Sequence, residues 1–167
     1  MSDPSWFVRP MTMEDIDAVE AIERESFTIP WSRGAFIREL TVNVTTARYL
    51  VLDQDGAVVG YAGMWLVIDE GHITNVAVRR GCRNRGGGLM LMRALIAEGI
   101  ENGLVYMTLE VRRSNLIAQN LYHRMGFVDV GFRKRYYEDD REDALVMACE
   151  DLPKALSGGW PQQCEMR

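Results

Sequence analysis

A chain of 167 residues, 47% hydrophobic and 26% charged, is long enough for one domain with a proper core and too short for two. Its formal charge of −5, from 24 acidic against 19 basic residues, argues against nonspecific binding to nucleic acid. The longest nearly apolar run, 58–68, falls short of the roughly 18 to 20 residues a membrane-spanning helix needs, and three cysteines, Cys82, Cys149 and Cys164, without C-x-x-C spacing support neither a disulfide framework nor a metal site.

Asp3 and Pro4, with no apolar stretch after them, do not read as a secretory signal, so the cytoplasm is the expected compartment. Residues 6–9 then read as a short strand. Pro10 and Thr12 introduce a helix, Thr12 as N-cap with Asp15 three residues on in a capping-box arrangement, and Ile16, Ala18, Val19 and Ile22 form its apolar face. Ser32 caps a second helical segment carrying Phe36, Ile37 and Leu40, which leaves 28–31 as a bend. Alternation and β-branched content predict antiparallel strands at 49–52 and 58–68, joined by a hairpin turn at 53–56. Asp69, Glu70 and Gly71 are expected to turn the chain into a strand over 73–78. A helix over 86–100, ended near Asn102 and Gly103, and a strand over 105–111 complete a parallel crossover. Another helix, 116–125, stops at Gly126 ahead of strands near 127–132 and 144–149. The pattern is α+β: a central mixed, mostly antiparallel twisted sheet with helices on both faces, in one domain over 1–151. From Leu152 periodicity is lost, so 152–167 is expected to be a flexible or docked extension, with Trp160 a hint of docking.

Between the strand Ile73-Thr74-Asn75-Val76-Ala77-Val78 and the helical run Leu89-Met90-Leu91-Met92 lies Arg83-Asn84-Arg85-Gly86-Gly87-Gly88. A glycine-rich turn that opens a helix leaves backbone N–H groups unpaired and pointing outward, and the helix dipole favours an anion there. Side chains in place of the glycines would hold a pyrophosphate away from the amides, and the arginines add charge-assisted contacts. No Lys-Ser or Lys-Thr follows, which argues against a P-loop, and the spacing is Arg-x-x-Gly-x-Gly rather than Gly-x-Gly-x-x-Gly, which disfavours a dinucleotide fold. Taken alone, the hexapeptide is equally consistent with a plain turn carrying solvated arginines.

With its surroundings the loop closely resembles the pyrophosphate loop of the GNAT superfamily of N-acetyltransferases, and more narrowly the bacterial ribosomal-protein-alanine N-acetyltransferase (RimI) family. The resemblance covers about residues 6–150. It is carried by Ile29-Pro30-Trp31-Ser32, Gly71-His72-Ile73-Thr74-Asn75-Val76-Ala77-Val78, the loop itself, Leu109-Glu110-Val111-Arg112-Arg113-Ser114-Asn115, Asn120-Leu121-Tyr122, Met125-Gly126-Phe127, Tyr136-Tyr137 and Arg141-Glu142-Asp143-Ala144. It implies acetyl-coenzyme A as cosubstrate, without a metal, held by a splayed strand pair. Arg83, Asn84, Arg85, Gly86, Gly87, Gly88 and Leu89 are then expected at the pyrophosphate, and Val76, Ala77, Val78, Asn115 and Tyr122 along the rest of the cofactor, with Val76 polarising the thioester carbonyl. Gly87 stands where the family often has an apolar residue, and a looser loop is expected there.

Acetyl transfer to an amine needs a neutral nucleophile, a site for the developing oxyanion and a proton for the departing thiolate. Glu110 is the one acidic residue in the apolar run 105–111, where burial is expected to raise its pKa toward that of a general base; the bland alternative pairs it with Arg112 or Arg113. By resemblance Glu110 is the base and Tyr122, seven residues beyond Asn115 on the following helix, the acid. Asn115 has a structural alternative as an N-cap. His72 and His123 are read as structural or surface residues. Pro30, Trp31, Asp69, Glu70, Tyr136 and Tyr137 are expected to flank the acceptor, by resemblance a protein N-terminus, specifically the N-terminal alanine of a small-subunit ribosomal protein. An α-amine suits a modest base, because about a tenth of it is neutral at pH 7 against well under a thousandth of a lysine. A monomer or weak dimer without nucleic-acid or membrane partners is expected. The competing readings are a relaxed protein or small-molecule amine acetyltransferase and a non-catalytic acetyl-coenzyme A sensor.

Overall fold

The computed structural model describes residues 5–158, so Trp160 and Cys164 lie outside the described residues. Seven strands and five α-helices follow one another as β1 (Trp6–Pro10), α1 (Ile16–Ser26), α2 (Arg33–Thr41), β2 (Ala47–Gln54), β3 (Ala57–Val67), β4 (Glu70–Val78), α3 (Gly87–Glu101), β5 (Tyr106–Arg112), α4 (Leu116–Arg124), β6 (Val128–Arg133), β7 (Ala144–Cys149) and α5 (Leu152–Ser157). The sheet order is β1-β2-β3-β4-β5-β7-β6. β4 and β5 pair in parallel, whereas β1 with β2, β2 with β3, β5 with β7 and β6 with β7 are antiparallel, which is the mixed α+β architecture expected. The described residues form two compact units, 5–65 with 74–95, and 66–73 with 96–158.

In the first unit the start of α1 is fixed by charge. Thr12 precedes a single 3₁₀ turn, and the Asp15 carboxylate reaches back to accept from the Thr12 N–H at 2.7 Å. Asp15 is buried and takes a two-pronged contact from Arg9 at 2.8 and 2.9 Å, while the Arg9 Nε–H donates to the equally buried Asp53 at 3.0 Å. Asp53 also accepts the Gly56 N–H at 2.7 Å, closing a two-residue hairpin in which Asp55 and Gly56 both have positive φ, 50° and 92°. Met11, Ile16, Val19, Ile22, Phe36, Val51, Val58 and Tyr61 pack as one buried cluster. Gly63 pairs with Tyr49, whose ring lies across the space a Cβ would take and whose hydroxyl thereby reaches the Thr74 Oγ1 at 3.0 Å.

In the second unit β5 is the central strand, flanked by the first half of β4 and by β7, and Met107, Leu109, Val111, Leu145, Met147 and Ala148 are buried. The turn into β4 is tighter than the sequence suggests. Only Ile68 and Asp69 make it, with Ile68 at φ +59, so Glu70 and Gly71 already belong to the strand. α5 lies in a segment that the sequence pattern left without an element. Six residues are too short for a helical repeat to register, but Asp151 caps the helix by accepting the Lys154 N–H at 3.0 Å, and Leu152 and Ala155 are buried.

Burial works against ionisation of Asp15, but the Arg9 contact and the Thr12 hydrogen bonds outweigh it and hold the carboxyl below the ordinary aspartate range. A depressed folded-state pKa adds stability that is complete above the unfolded value of about 3.9 and is lost as the pH falls through the folded value. Arg9→Met strips both buried carboxyls of their cation. It is expected to cost about 3 kcal/mol, near the lower end for breaking a buried pair because Arg9 keeps 30% of its side chain exposed. Without Arg9 the Asp15 carboxyl is left to burial and its pKa rises, so the variant's stability relative to the parent protein should fall further between roughly pH 4 and 7. Urea melts at pH 4, 5.5 and 7 measure both effects.

Candidate active site

The register His72↔Thr108 between parallel strands sets His72 two residues behind Glu110 on the neighbouring strand. The His72 Nε2 lies 2.6 Å from the Glu110 Oε2, and the Arg133 Nε lies 3.3 Å from the Oε1. Arg133 comes from the end of β6, two strands away through β7, where Val146 faces Glu110. Its guanidinium also stands 5.8 Å over the Tyr136 ring. Glu110 has 9% of its side chain exposed. The sequence expectation of a raised pKa is overturned. Burial does push the carboxyl up, but the hydrogen bond and charge of His72, together with Arg133, more than offset it and hold Glu110 below the ordinary glutamate range. The site therefore holds an ionised, hydrogen-bonded carboxylate across the neutral range. Arg112 and Arg113 do not pair with it. Arg112 binds Asp139 at 2.7 Å and Asp140 at 3.0 Å, and Arg113 stands 3.8 Å from Asp143.

Tyr122, on α4, is buried with its ring 6.1 Å from that of Phe127, and burial alone pushes its hydroxyl up to about 12, so it remains a proton donor at neutral pH. Asn115 caps α4, its side chain accepting the Ala118 N–H at 3.2 Å. Tyr136 and Tyr137 meet edge to face at 5.1 Å, and Tyr137 lies under the Arg112 guanidinium at 3.9 Å. Glu142 and Asp143 tie this loop down: Glu142 accepts the Ser114 N–H and hydroxyl, each at 2.9 Å, and Asp143 accepts the Arg135 N–H at 2.9 Å. Asp69 and Glu70 are not brought to Glu110. Glu70 registers with Tyr106, four residues earlier on β5, or roughly 13 Å at strand rise. His123 contacts Asp129 at 2.6 Å at the surface, as expected of a surface residue.

The first unit carries the glycine-rich loop. Pairing of β4 with β5 is registered as far as Ile73↔Leu109, and β4 runs on through Thr74, Asn75, Val76, Ala77 and Val78. The chain then crosses a 3₁₀ turn, Arg80–Cys82, and two left-handed residues, Asn84 at φ +64 and Gly86 at φ +84, before α3 begins at Gly87. The Met90 N–H donates to the Gly86 carbonyl at 3.0 Å, so the amides of Gly86, Gly87, Gly88 and Leu89 precede the first helical hydrogen bond. A Cβ at Gly86 meets nothing within 4 Å, so space lies open beside Gly86. Gly87 is not the loose point expected. A Cβ there would come within 2.8 Å of Leu52 and 3.2 Å of Trp6, whose side chains fill the room that a larger residue would take. The Arg83 guanidinium braces the loop, donating to the Val78 carbonyl at 2.8 Å and the Ser26 hydroxyl at 3.2 Å. Arg85 is exposed and makes no ion pair among the described residues. Oriented amides at a helix start, an open approach and an exposed arginine fit a phosphate-bearing ligand. Pro30 and Trp31 lie in the bend between α1 and α2, with the Trp31 ring 6.4 Å from Trp65 and 5.5 Å from Phe36.

Sequence reasoning missed His72 and Arg133 as the partners of Glu110, because only strand register and sheet order bring them there.

The family model described as "Acetyltransferase (GNAT) family" matches residues 16–127. The chain is 44% identical over 140 residues to a Bacillus subtilis protein provisionally named a ribosomal protein bS18-alanine N-acetyltransferase, covering 84% of this chain and 92% of that one. It is 36% identical over 138 residues to the Escherichia coli ribosomal protein bS18-alanine N-acetyltransferase, covering 80% and 90%. The crystal structure of the E. coli ribosomal-protein-S18-alanine N-acetyltransferase superposes with a TM-score of 0.80 at 28% identity, over 97% of this chain and 100% of the other.

Replacing His72 with Leu removes the group that does most to lower the Glu110 pKa and leaves desolvation less opposed. The Glu110 pKa is expected to rise in His72→Leu, as read from the carboxyl carbon chemical shift across a pH titration.

Proposed function

Because the chain belongs to the GNAT family of acetyltransferases, we propose that it acetylates the α-amine of a protein N-terminus, an alanine of a small-subunit ribosomal protein, by direct transfer from acetyl-coenzyme A. The observation that carries this reading is similarity over 80% and 84% of the chain to relatives named for that activity, in a chain that keeps an ionised carboxylate at Glu110. The cosubstrate supplies the acetyl group as a thioester. In this reading Glu110, directly or through a water, accepts a proton from the acceptor amine as its nitrogen attacks the thioester carbonyl. As the C–S bond breaks, Tyr122 gives its phenolic proton to the thiolate. The Val76 N–H polarises the carbonyl, the amides from Gly86 to Leu89 with Arg83, Asn84 and Arg85 hold the pyrophosphate, and Ala77, Val78 and Asn115 line the remainder.

The direction of the Glu110 pKa supports an N-terminal acceptor. A carboxylate held below its ordinary range is a weak base, which is sufficient for an α-amine near 7.7 to 8.0 and poorly matched to a lysine near 10.4. Pro30, Trp31, Tyr136 and Tyr137 are the acceptor contacts we propose, with Tyr136 beside Arg133 and Glu110 in its own unit. Asp69 and Glu70 belong to the acceptor path only if it extends well beyond the amine.

Intact-mass measurement on matched peptides tests the reading. Transfer is expected to a free N-terminal alanine of ribosomal sequence and not to an N-terminally blocked peptide with internal lysines. Transfer to the lysines would replace the reading with a broader protein acetyltransferase, and acetyl-coenzyme A binding without transfer to either would replace it with a sensor or small-molecule enzyme. Glu110→Gln and Tyr122→Phe are each expected to lower kcat by about 10²- to 10⁴-fold with acetyl-coenzyme A affinity unchanged. With Glu110 ionised throughout, the rise of kcat/KM between pH 6 and 8.5 should follow the substrate's own α-amine, and it should move when a peptide of different amine pKa is used.

A further inference from the structure

The reaction leaves several buried carboxyls unused, Glu23 among them. Glu23, in the last turn of α1, is 1% exposed and forms no ion pair among the described residues. Its neighbours on the inner face of α1, Ile16, Val19 and Ile22, are all apolar, so an uncompensated carboxyl among them is costly unless it holds something in place. What it holds is the bend. The Trp31 N–H, eight residues on, donates to the Glu23 Oε1 at 3.0 Å, and the Tyr61 hydroxyl of β3 donates to the Oε2. The Asn75 side chain of β4 also favours its charged form. Among the described residues, the Glu23–Trp31 contact is the one hydrogen bond made by the bend from Thr28 to Trp31; the flanking bonds are Phe27 N–H to the Glu23 carbonyl and Ala35 N–H to the Ser32 carbonyl. Burial pushes the Glu23 carboxyl up to about 7, as expected where no cation offsets desolvation.

The remaining contacts of the bend are aromatic. The Trp31 ring stands against Phe36, Tyr49 and Trp65, while Phe27 and Ile29 are exposed, Ile29 by 57%. Ring packing fixes where Trp31 sits, and the hydrogen bond to its N–H fixes how the backbone of Ile29 and Pro30 is turned toward solvent.

We propose that Glu23 is a positioning residue for the acceptor: by accepting the Trp31 N–H it holds the α1–α2 bend in the shape that receives the substrate's N-terminal segment, without touching the reacting atoms. The proposal rests on the reading of the bend as part of the acceptor site. Loss of the carboxyl therefore weakens acceptor binding and leaves the chemical step intact. Glutamine retains a carbonyl oxygen for the Trp31 N–H; leucine has similar bulk and no acceptor.

Steady-state kinetics with the full chain, varying peptide and acetyl-coenzyme A separately, separate this role from a purely structural one. In Glu23→Leu the peptide KM is expected to rise tenfold or more, with kcat and the acetyl-coenzyme A KM within threefold of the parent, and Glu23→Gln is expected to restore the peptide KM to within threefold. An unchanged peptide KM in a folded Glu23→Leu, or equal losses in kcat and both KM values, overturns the proposal. Hydrogen exchange on the unmodified protein is a second arm that does not depend on the variant folding. The Trp31 amide should exchange at least tenfold more slowly than those of Thr28 and Ile29, and exchange as fast as theirs overturns the proposal. If the enzyme uses a lysine or small amine in place of an N-terminus, the functional reading fails while the exchange result still decides what Glu23 does. If the N-terminal peptide is the substrate and its KM is indifferent to Glu23, the positioning role alone fails.

Discussion

Parallel pairing of β4 with β5 over four residues, from Glu70↔Tyr106 to Ile73↔Leu109, is the constraint on which the rest depends. Side chains alternate along a strand, so this register settles that His72, and not Ile73, shares a face with Glu110. A slip of one residue would take the imidazole to the other face and leave only Arg133 to oppose burial, which pushes the carboxyl pKa up. Because β4 continues to Val78 past its last registered partner on β5, the same strand that supplies His72 goes on to deliver the glycine-rich loop.

Asp15, Asp53, Glu110 and Glu23 are compensated in three different ways. Asp15 and Asp53 share Arg9, so that one cation fixes a helix start, an edge strand and a hairpin together. Glu110 has a histidine on one oxygen and an arginine on the other, which keeps it charged. Glu23 has only neutral donors, and its carboxyl is pushed up. For Asp15, Glu110 and Glu23 the direction of the shift is set less by depth of burial than by whether a cation is within reach.

Glycine marks close approach as well as flexibility. Gly63 yields its space to the Tyr49 ring, and Gly87 yields to Trp6 and Leu52, so that the first turn of α3 lies directly on its neighbours. Gly86 differs from both: it has positive φ and open space, which suits a backbone that meets a ligand.

Much of the molecule was legible in the amino-acid sequence, because its signals are local. The Ser32 cap, the Asp55-Gly56 turn, the apolar stripe of α1 and the strand–loop–helix passage into α3 each depend on neighbours within a few residues, and the blocks around Glu110, Tyr122 and the loop identified the family. What the sequence could not contain is the partner of a side chain 20 or more residues away. Glu110 looked like an acid raised by burial because His72, 38 residues back, and Arg133, 23 residues on, become its neighbours only through strand register and sheet order. Nothing in the sequence marked Glu23, and only the folded chain sets against it the Tyr61 hydroxyl, 38 residues on, and the Trp31 N–H, eight residues on across the end of α1. Local propensity and motif spacing fixed the elements and the chemistry class, whereas tertiary structure decided the charge state of the acids, since electrostatic free energy depends on distance in space and not on separation along the chain.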